Sequence, residues 1–294
     1  MSALVDPLLA PLAYQFMQRG MVASVIVGVL CAVVGCYVVL KGMAFLGDAL
    51  AHAILPGVAV AYLVKGDMLV GAMVAAVLAA LAIGIFSRHG RVKEDTAIGI
   101  VFAAALALGV ALMSTAKSYT TDLAHALFGN VLGVGERDLL LIALLAVAVL
   151  AVVALLYKEF LLVSFDPVMA ATQQLPVGAL RNLMLVLLAF TVVISLQSVG
   201  IGLVAAMLVT PAATAQLLTR RLPSMMATAA AIGAISAVAG LYLSYYINVA
   251  SGAAIVLVCT AFFLLAYLFT PGRGVFWSLR RRAATKMKQL TSND

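Results

Sequence analysis

The sequence predicts an all-α polytopic membrane protein with about nine transmembrane helices. Of its 294 residues, 65% are hydrophobic and only 10% are charged, which is more apolar surface than a single soluble core encloses. Apolar runs of roughly 20 residues, enough for a helix to cross a ~30 Å hydrocarbon layer, follow one another along the chain. Runs such as 74–83 are apolar on every side, whereas the strands of a membrane barrel alternate polar and apolar residues.

Short polar segments separate the predicted spans. Basic residues mark most of these segments, for example Lys41 after the first span, Lys65 after the second and Arg220 after the seventh. The predicted spans are, in order, residues 20–40, 43–64, 67–86, 95–115, 138–157, 181–199, 201–219, 224–247 and 252–270.

The positions of the basic residues predict the orientation of the chain. Short loops rich in lysine and arginine stay on the cytoplasmic side of a membrane. If the amino terminus lies outside and the carboxyl terminus inside, all of the 18 lysines and arginines lie inside except Arg19, Lys65, Lys117 and Arg137. We therefore expect a multi-pass protein with that orientation.

The net charge of +7 does not indicate nucleic-acid binding, because the bases are dispersed over short loops and one tail. In the tail, Trp277 stands beside the basic run 280–282, a pattern typical of an interfacial anchor next to anionic lipid. The predicted division is a transmembrane domain over 1–272 and a basic cytoplasmic tail over 273–294, with membrane lipid as a partner and nucleic acid excluded.

Asp48 is the one acid, and His52 the one histidine, that the predicted spans place at membrane depth. An acid near the centre of a membrane helix costs about 2.5–3.5 kcal/mol on insertion scales, so such residues usually face a cavity and mark an ion or substrate path. Four positions apart on a helix, the two side chains lie on one face, roughly 6 Å apart along the axis. They can therefore share a ligand.

Pro56 weakens the helix beside this pair. Proline lacks the amide hydrogen that would bond the carbonyl of His52, and Gly47 and Gly57 bracket the segment. Broken helices of this kind line transport sites. A carboxylate with a neutral imidazole suits Mn, Fe or Zn, but two ligands are too few for a closed site. A symmetric dimer would double them.

Other interpretations of the pair remain open at this point. Asp48 also fits the N-cap of a helix that starts at Ala49, with His52 in a structural hydrogen bond to a neighbouring span. Asp48 fits the titrating group of a proton-coupled metal carrier as well. An intramembrane metalloenzyme is a further alternative, but it lacks a third in-membrane ligand and an evident nucleophile.

The most polar inner segment, "SFDPVMAATQQLPVG" at 164–178, predicts a short cytosolic helix from Pro167 to about Gln174. Asp166 is a good N-cap, Pro167 suits the first turn, and Pro176 ends the helix. The segment offers a docking surface for a partner.

The sequence contains no G-x-x-x-x-G-K-[S/T] phosphate loop, so energy for transport must come from a partner or a gradient, and we do not expect an enzyme.

Two further features each have two interpretations. Pro211, with Thr210 beside it and Gln197 nearby, either shapes a pathway or gate, or forms a kink whose freed carbonyl accepts from threonine hydroxyls. Asp122 and His125 provide either a first stop for a metal at the outer mouth or a capped interfacial helix.

Three segments carry a resemblance to a known family: "KGMAFLGDALAHAILPGVAVAYL" at 41–63, "YTTDLAHALFGNVLGV" at 119–134 and "SLQSVGIGLVAAMLVTPAATAQLLTRR" at 195–221. They resemble segments of the integral membrane permeases of bacterial ABC importers for manganese, zinc and iron. The similarity covers about residues 16–270, and its second segment looks like the manganese and iron members in particular.

The resemblance implies a type II ABC importer-like permease bundle in the bacterial cytoplasmic (inner) membrane. Such permeases form homodimers or heterodimers around a central pathway and work with two cytosolic ATPase subunits and an extracytoplasmic metal-binding protein. The cargo is a divalent metal, here Mn²⁺ by preference and otherwise Zn²⁺ or Fe²⁺, and no cofactor is bound permanently.

The resemblance also assigns roles to residues. The pair matching Asp48 and His52 lines the pathway and is implicated in coordinating the passing cation. The position of Asp166, Pro167, Ala170 and Gln174 resembles the coupling helix that sits in a groove of the ATPase. Family members often carry glycine at the position of Gln174.

Overall fold

The computed structural model describes residues 11–87, 92–115 and 133–270, without the side chains of residues 12, 197–199, 201 and 202. Within these ranges every regular element is a helix. The basic tail 273–294 and the outer segment 119–132, with Asp122 and His125, lie outside the described residues.

Twelve α-helices follow a short 3₁₀ turn at Pro11–Ala13 in the described ranges. They are α1 (Gln15–Leu40), α2 (Leu46–Ala53), α3 (Leu55–Leu63), α4 (Met68–Phe86), α5 (Glu94–Ser114), α6 (Glu136–Leu155), α7 (Tyr157–Phe165), α8 (Pro167–Thr172), α9 (Val177–Val199), α10 (Ile201–Leu218), α11 (Leu222–Ile247) and α12 (Ser251–Phe269).

Each of the nine predicted spans falls on this helical framework, and the second span comprises α2 and α3 together. Among the described residues, eight helical segments are long and apolar enough to cross a membrane by length and composition, and α10 contributes a shorter apolar helix, Leu203–Leu218. The all-α, polytopic fold class is confirmed.

Two boundaries differ from the prediction. Helix α1 begins at Gln15 and so includes Arg19, which the prediction placed before the first span. Helix α7 was not predicted as a separate element: the chain turns at Leu156 and continues as helix to Phe165.

Helix α1 is the most buried of the membrane-length helices and packs against α6, α9, α10 and α11. Two glycines on α1 allow this close packing. A Cβ added at Gly35 would lie 1.8 Å from the carbonyl oxygen of Leu208 on α10, and one at Gly28 would lie 2.9 Å from that of Gly233 on α11. Backbones approach most closely where side chains are smallest, which is a general feature of helix packing in membranes.

Charged side chains link helix ends at both ends of the bundle. At one end, Arg181 on α9 lies 3.3 Å from Glu94 on α5 and donates to the carbonyl of Gly84 on α4 at 2.8 Å. Burial lowers the pKa of nearby Lys41, an effect that the negative charge of Glu94 opposes. At the other end, Arg19 pairs with Glu136.

These contacts place basic residues predicted to lie inside at one end of the bundle and a basic residue predicted to lie outside at the other end. Lys41 and Arg181, both predicted to be inside, belong to one cluster, whereas Arg19 belongs to the opposite end. Which end faces the cytoplasm stays a prediction.

Candidate metal pathway

Asp48 and His52 lie on one face of α2, as their spacing predicts. The Nε2 atom of His52 is 3.8 Å from Oδ1 of Asp48, which is too long for a hydrogen bond but short enough for both atoms to contact one bound ion. The short helix that carries them packs against α4, α5, α9 and α10.

The pair lies near the middle of the bundle. A Cβ added at Gly47, next to Asp48, would lie 3.6 Å from the side chain of Leu208 and 4.0 Å from the backbone of Ala205 on α10. Leu208 lies seven residues after the start of α10, or about 10 Å along a helix of about 27 Å at 1.5 Å per residue. Asp48 therefore lies beside the middle part of α10, although it stands in the first turn of its own short helix.

Both side chains are partly accessible on the surface of the single chain, with 35% of Asp48 and 28% of His52 exposed. Among the described residues, no hydrogen bond reaches either side chain. Their lone pairs are therefore available to an ion, and the exposed carboxylate must be covered by something other than lipid.

The alternative in which Asp48 caps a helix that starts at Ala49 is wrong. Helix α2 starts three residues earlier, at Leu46, and its N-cap is Phe45, which has no side-chain cap bond. Asp48 is inside the first turn, and its side chain accepts no capping hydrogen bond. Helix capping therefore does not offset the free-energy cost of placing a carboxylate in this apolar span.

The second span is broken after the pair, as Pro56 predicts. The break falls at Ile54, between α2 and α3, and Pro56 stands in the first turn of α3. Glycines allow neighbouring helices to pack closely beside this break. A Cβ at Gly109 of α5 would lie 2.7 Å from the Cβ of Leu55, and one at Gly57 would lie 2.0 Å from the carbonyl oxygen of Gly71 on α4.

Phe102 on α5 is a neighbour of the pair that the sequence analysis missed. Its ring lies 5.7 Å from the imidazole of His52 at an interplanar angle of 74°, and 6.2 Å from the ring of Phe45 at 79°. An aromatic residue in an apolar span carries no polar signal, and only the fold brings it to His52.

The residues predicted for a gate lie on α9 and α10. Pro211 is buried and Thr210 half-buried within α10, less than one turn beyond Leu208. The Thr214 hydroxyl donates to the carbonyl of Thr210 at 2.7 Å. The carbonyl that Pro211 frees is that of Met207, so this threonine bond is not the one expected. Gln197 lies in α9, but its side chain is outside the described set.

The inner segment forms the predicted short helix, α8. Oδ1 of Asp166 accepts from the amide of Met169 at 2.9 Å, and Pro167 occupies the first turn. The helix ends at Thr172, two residues before the predicted end. The cause is not Pro176 but Gln174, whose φ of 60° turns the chain into the left-handed region.

Helix α8 exposes apolar side chains. Ala170 is fully buried, whereas Val168 is 75% exposed, and Met169 and the preceding Phe165 are also exposed. Medium and large apolar residues exposed together are typical of a contact with another protein or with lipid.

In the described part of the chain, no group of three or more histidine, cysteine, aspartate or glutamate side chains is placed to hold a metal ion. The three cysteines are free and buried. Asp48 and His52 therefore offer one carboxylate and one imidazole, which are too few ligands for a closed metal site.

Comparison with known proteins gives consistent matches along nearly the whole chain. The family described as "ABC 3 transport family" matches residues 13–270. The chain is 47% identical over 281 residues to the "Manganese transport system membrane protein MntC" of Halalkalibacterium halodurans, with 96% of each protein covered. It is 40% identical over 269 residues to the "Chelated iron transport system membrane protein YfeD" of Yersinia pestis, with 92% of this chain and 90% of that protein covered.

Among solved structures, the chain is similar to one described as "PsaBC from Streptococcus pneumoniae in complex with Fab". The TM-score is 0.81 and the sequence identity 38%, and the match covers 92% of this chain and 97% of that one.

Proposed function

The chain belongs to the ABC 3 transport family, and we propose that it is the permease subunit of an ATP-driven importer that moves a divalent transition-metal ion into the cytoplasm. The observation that carries the proposal is the Asp48–His52 pair. A carboxylate and an imidazole lie 3.8 Å apart on one helix face in a segment predicted to cross the membrane, and no hydrogen bond from the described residues reaches either side chain.

Manganese is the favoured cargo. Relatives at 47% and 40% identity carry manganese and iron in their names, and a mixed oxygen and nitrogen ligand set suits both ions. Zn²⁺ also fits these two ligand types. The ion is a passing substrate, so an incomplete shell is an advantage: a closed site would hold the ion too tightly to release it.

The energy source in this proposal is a separate cytosolic ATPase. The chain has no phosphate-binding loop of its own, and α8 presents Val168 and Met169 to a partner. Asp166, Pro167, Ala170 and Gln174 shape this coupling helix: the first two start it, Ala170 fixes it to the bundle and Gln174 ends it. An extracytoplasmic metal-binding protein delivers the ion.

A second permease, identical or related, covers the site. An Asp48 side chain that is 35% exposed at hydrocarbon depth is costly against lipid, but not against a partner that lines the same pathway. Two copies of the pair would offer two carboxylates and two imidazoles. Pro56, Thr210, Pro211 and Gln197 belong to the walls of this pathway, where broken or proline-containing helices move most easily.

The orientation in this proposal is that of an importer in the bacterial cytoplasmic membrane. The amino terminus lies outside and the carboxyl terminus inside, so that α8 and the Lys41–Arg181 end of the bundle face the cytosol.

The test is manganese uptake by the complete importer with Asp48→Asn or His52→Gln. Each variant keeps the side chain nearly the same size and removes one ligand. We expect uptake to fall at least tenfold, because even residues that only orient a metal ligand are worth about 10- to 100-fold. Asp95→Asn is the control: it removes the same charge from an exposed residue in the first turn of α5.

Normal uptake by both variants, with normal assembly, would refute the role of the pair. Uptake by the permease in vesicles with a proton gradient and without the ATPase would instead support the proton-coupled alternative.

A further inference from the structure

We infer that Phe102 is a positioning residue for His52: its ring holds the imidazole in the orientation in which Nε2 and the Asp48 carboxylate face the same ion. The inference rests on the proposed function, because Phe102 acts only through the Asp48–His52 pair.

His52 has no hydrogen bond from the described residues that would fix the orientation of its ring. A histidine that binds a metal almost always donates its other ring nitrogen to a carboxylate, a carbonyl or water, which fixes the ring. Here Nε2 faces Asp48, and no described residue bonds to Nδ1. Without such a bond, rotation about the Cβ–Cγ bond would move Nε2 away from Asp48.

Phe102 supplies an aromatic contact that restricts the imidazole ring of His52. Its ring centre lies 5.7 Å from that of His52 at 74°, an edge-to-face arrangement. Ring pairs prefer this geometry because the positive edge of one ring meets the negative face of the other. The contact restricts the imidazole without occupying either ring nitrogen, so both the metal and a proton can still reach them.

Phe102 is itself held in place. The ring of Phe45, directly before α2, also lies against Phe102, with the two ring centres 6.2 Å apart at 79°. Phe45, Asp48 and His52 follow at spacings of three and four residues, so they share one face and Phe102 lies over both ends of it. Val101 and Ile98 are buried in the bundle, which fixes the rotation of α5.

The test compares Phe102→Leu, which keeps an apolar side chain but no ring, with Phe102→Tyr, which keeps the ring. Purified permease is titrated with manganese chloride, and binding is followed by the rise in unfolding temperature. We expect Phe102→Leu to raise the half-saturating manganese concentration about 2- to 10-fold, the usual worth of an aromatic pair, and Phe102→Tyr to stay near the wild type. Ile100→Ala, an exposed position on the opposite side of α5, is the control and should not change the midpoint.

A double variant separates positioning from simple packing. If Phe102 acts through His52, Phe102→Leu adds no further loss of manganese binding or uptake in a His52→Gln background. An equal loss in both backgrounds, or a wild-type midpoint for Phe102→Leu, overturns the inference. If Phe102→Leu does not assemble, Phe102→Met is judged by the same two criteria. Failure of the proposed function looks different: His52→Gln by itself would then leave binding and uptake unchanged.

Discussion

At the scale of single residues, the cost of charge in hydrocarbon explains why the site is recognisable. Asp48 and His52 were predictable because an acid and an imidazole stand out in an apolar span and four positions place them on one helix face. Phe102 was not predictable, because one aromatic residue among apolar ones has no distinguishing pattern. Its role depends on α5 lying beside α2, which is a property of the packed bundle.

Gln174 illustrates strain at a single position. Its φ of 60° is uncommon for any residue but glycine, and the amides of Gln174 and Leu175 bond back to the carbonyls of Ala171 and Ala170 to close α8. The turn therefore uses a residue that is not ideal for it.

We predict that Gln174→Gly stabilises the protein by about 1 kcal/mol, since glycine adopts this backbone conformation without the clash of a Cβ. The measurement is thermal unfolding followed by a thiol-reactive dye, for which the buried Cys31, Cys36 and Cys259 are built-in reporters. The neighbouring Gln173→Gly, at φ −82°, should give no gain. A Gln174→Gly variant that melts at or below the wild-type temperature would show that the turn is not strained.

At the scale of helices, the sequence predicts elements wherever a polar residue marks an end. Asp166 caps α8 as expected, and the break near Pro56 divides the second span. The start of α1 and the separate helix α7 were not predicted. No capping residue, glycine or proline directly adjoins Gln15 or Tyr157, so the sequence does not mark these two starts.

Helix contacts in this bundle depend on glycines at specific crossings, and this leads to a matched pair of substitutions. We predict that Gly35→Ala destabilises the protein by about 1–3 kcal/mol or more, because the added methyl group would lie 1.8 Å from the Leu208 carbonyl oxygen. The same change at Gly99 in α5 meets no atom within 4 Å and should stabilise the helix by about 0.5–1 kcal/mol.

The same dye assay measures both substitutions, and uptake provides a second readout. Because a Cβ added at Gly47, beside Asp48, would also meet the side chain of Leu208, a shift of Leu208 in Gly35→Ala should reduce manganese uptake as well as stability. Equal melting temperatures for the two variants would mean that α1 and α10 do not cross closely at Gly35.

At the scale of the whole molecule, the approximate number of membrane spans follows from composition, but which helices are neighbours does not. Most spans are apolar on all sides, so no single face identifies the inward direction. The packing of α2 against four other helices emerges only from the fold. Orientation is more tractable, because the basic residues carry it, and the ion pairs Arg181–Glu94 and Arg19–Glu136 lie at opposite ends as that argument requires.

We predict that a membrane-impermeant maleimide added to intact cells labels Val64→Cys but not Gln173→Cys. Val64 is 70% exposed in the turn between α3 and α4, which the basic-residue distribution places outside, whereas Gln173 follows α8 on the cytosolic side. The native cysteines are buried and give little background. Permeabilised cells should label both variants, which shows that each thiol is reactive. The reverse pattern in intact cells would mean that the orientation is opposite to the one proposed. Helix α8 would then lie outside, away from any cytosolic ATPase. That result would therefore refute both the orientation and the coupling role of α8.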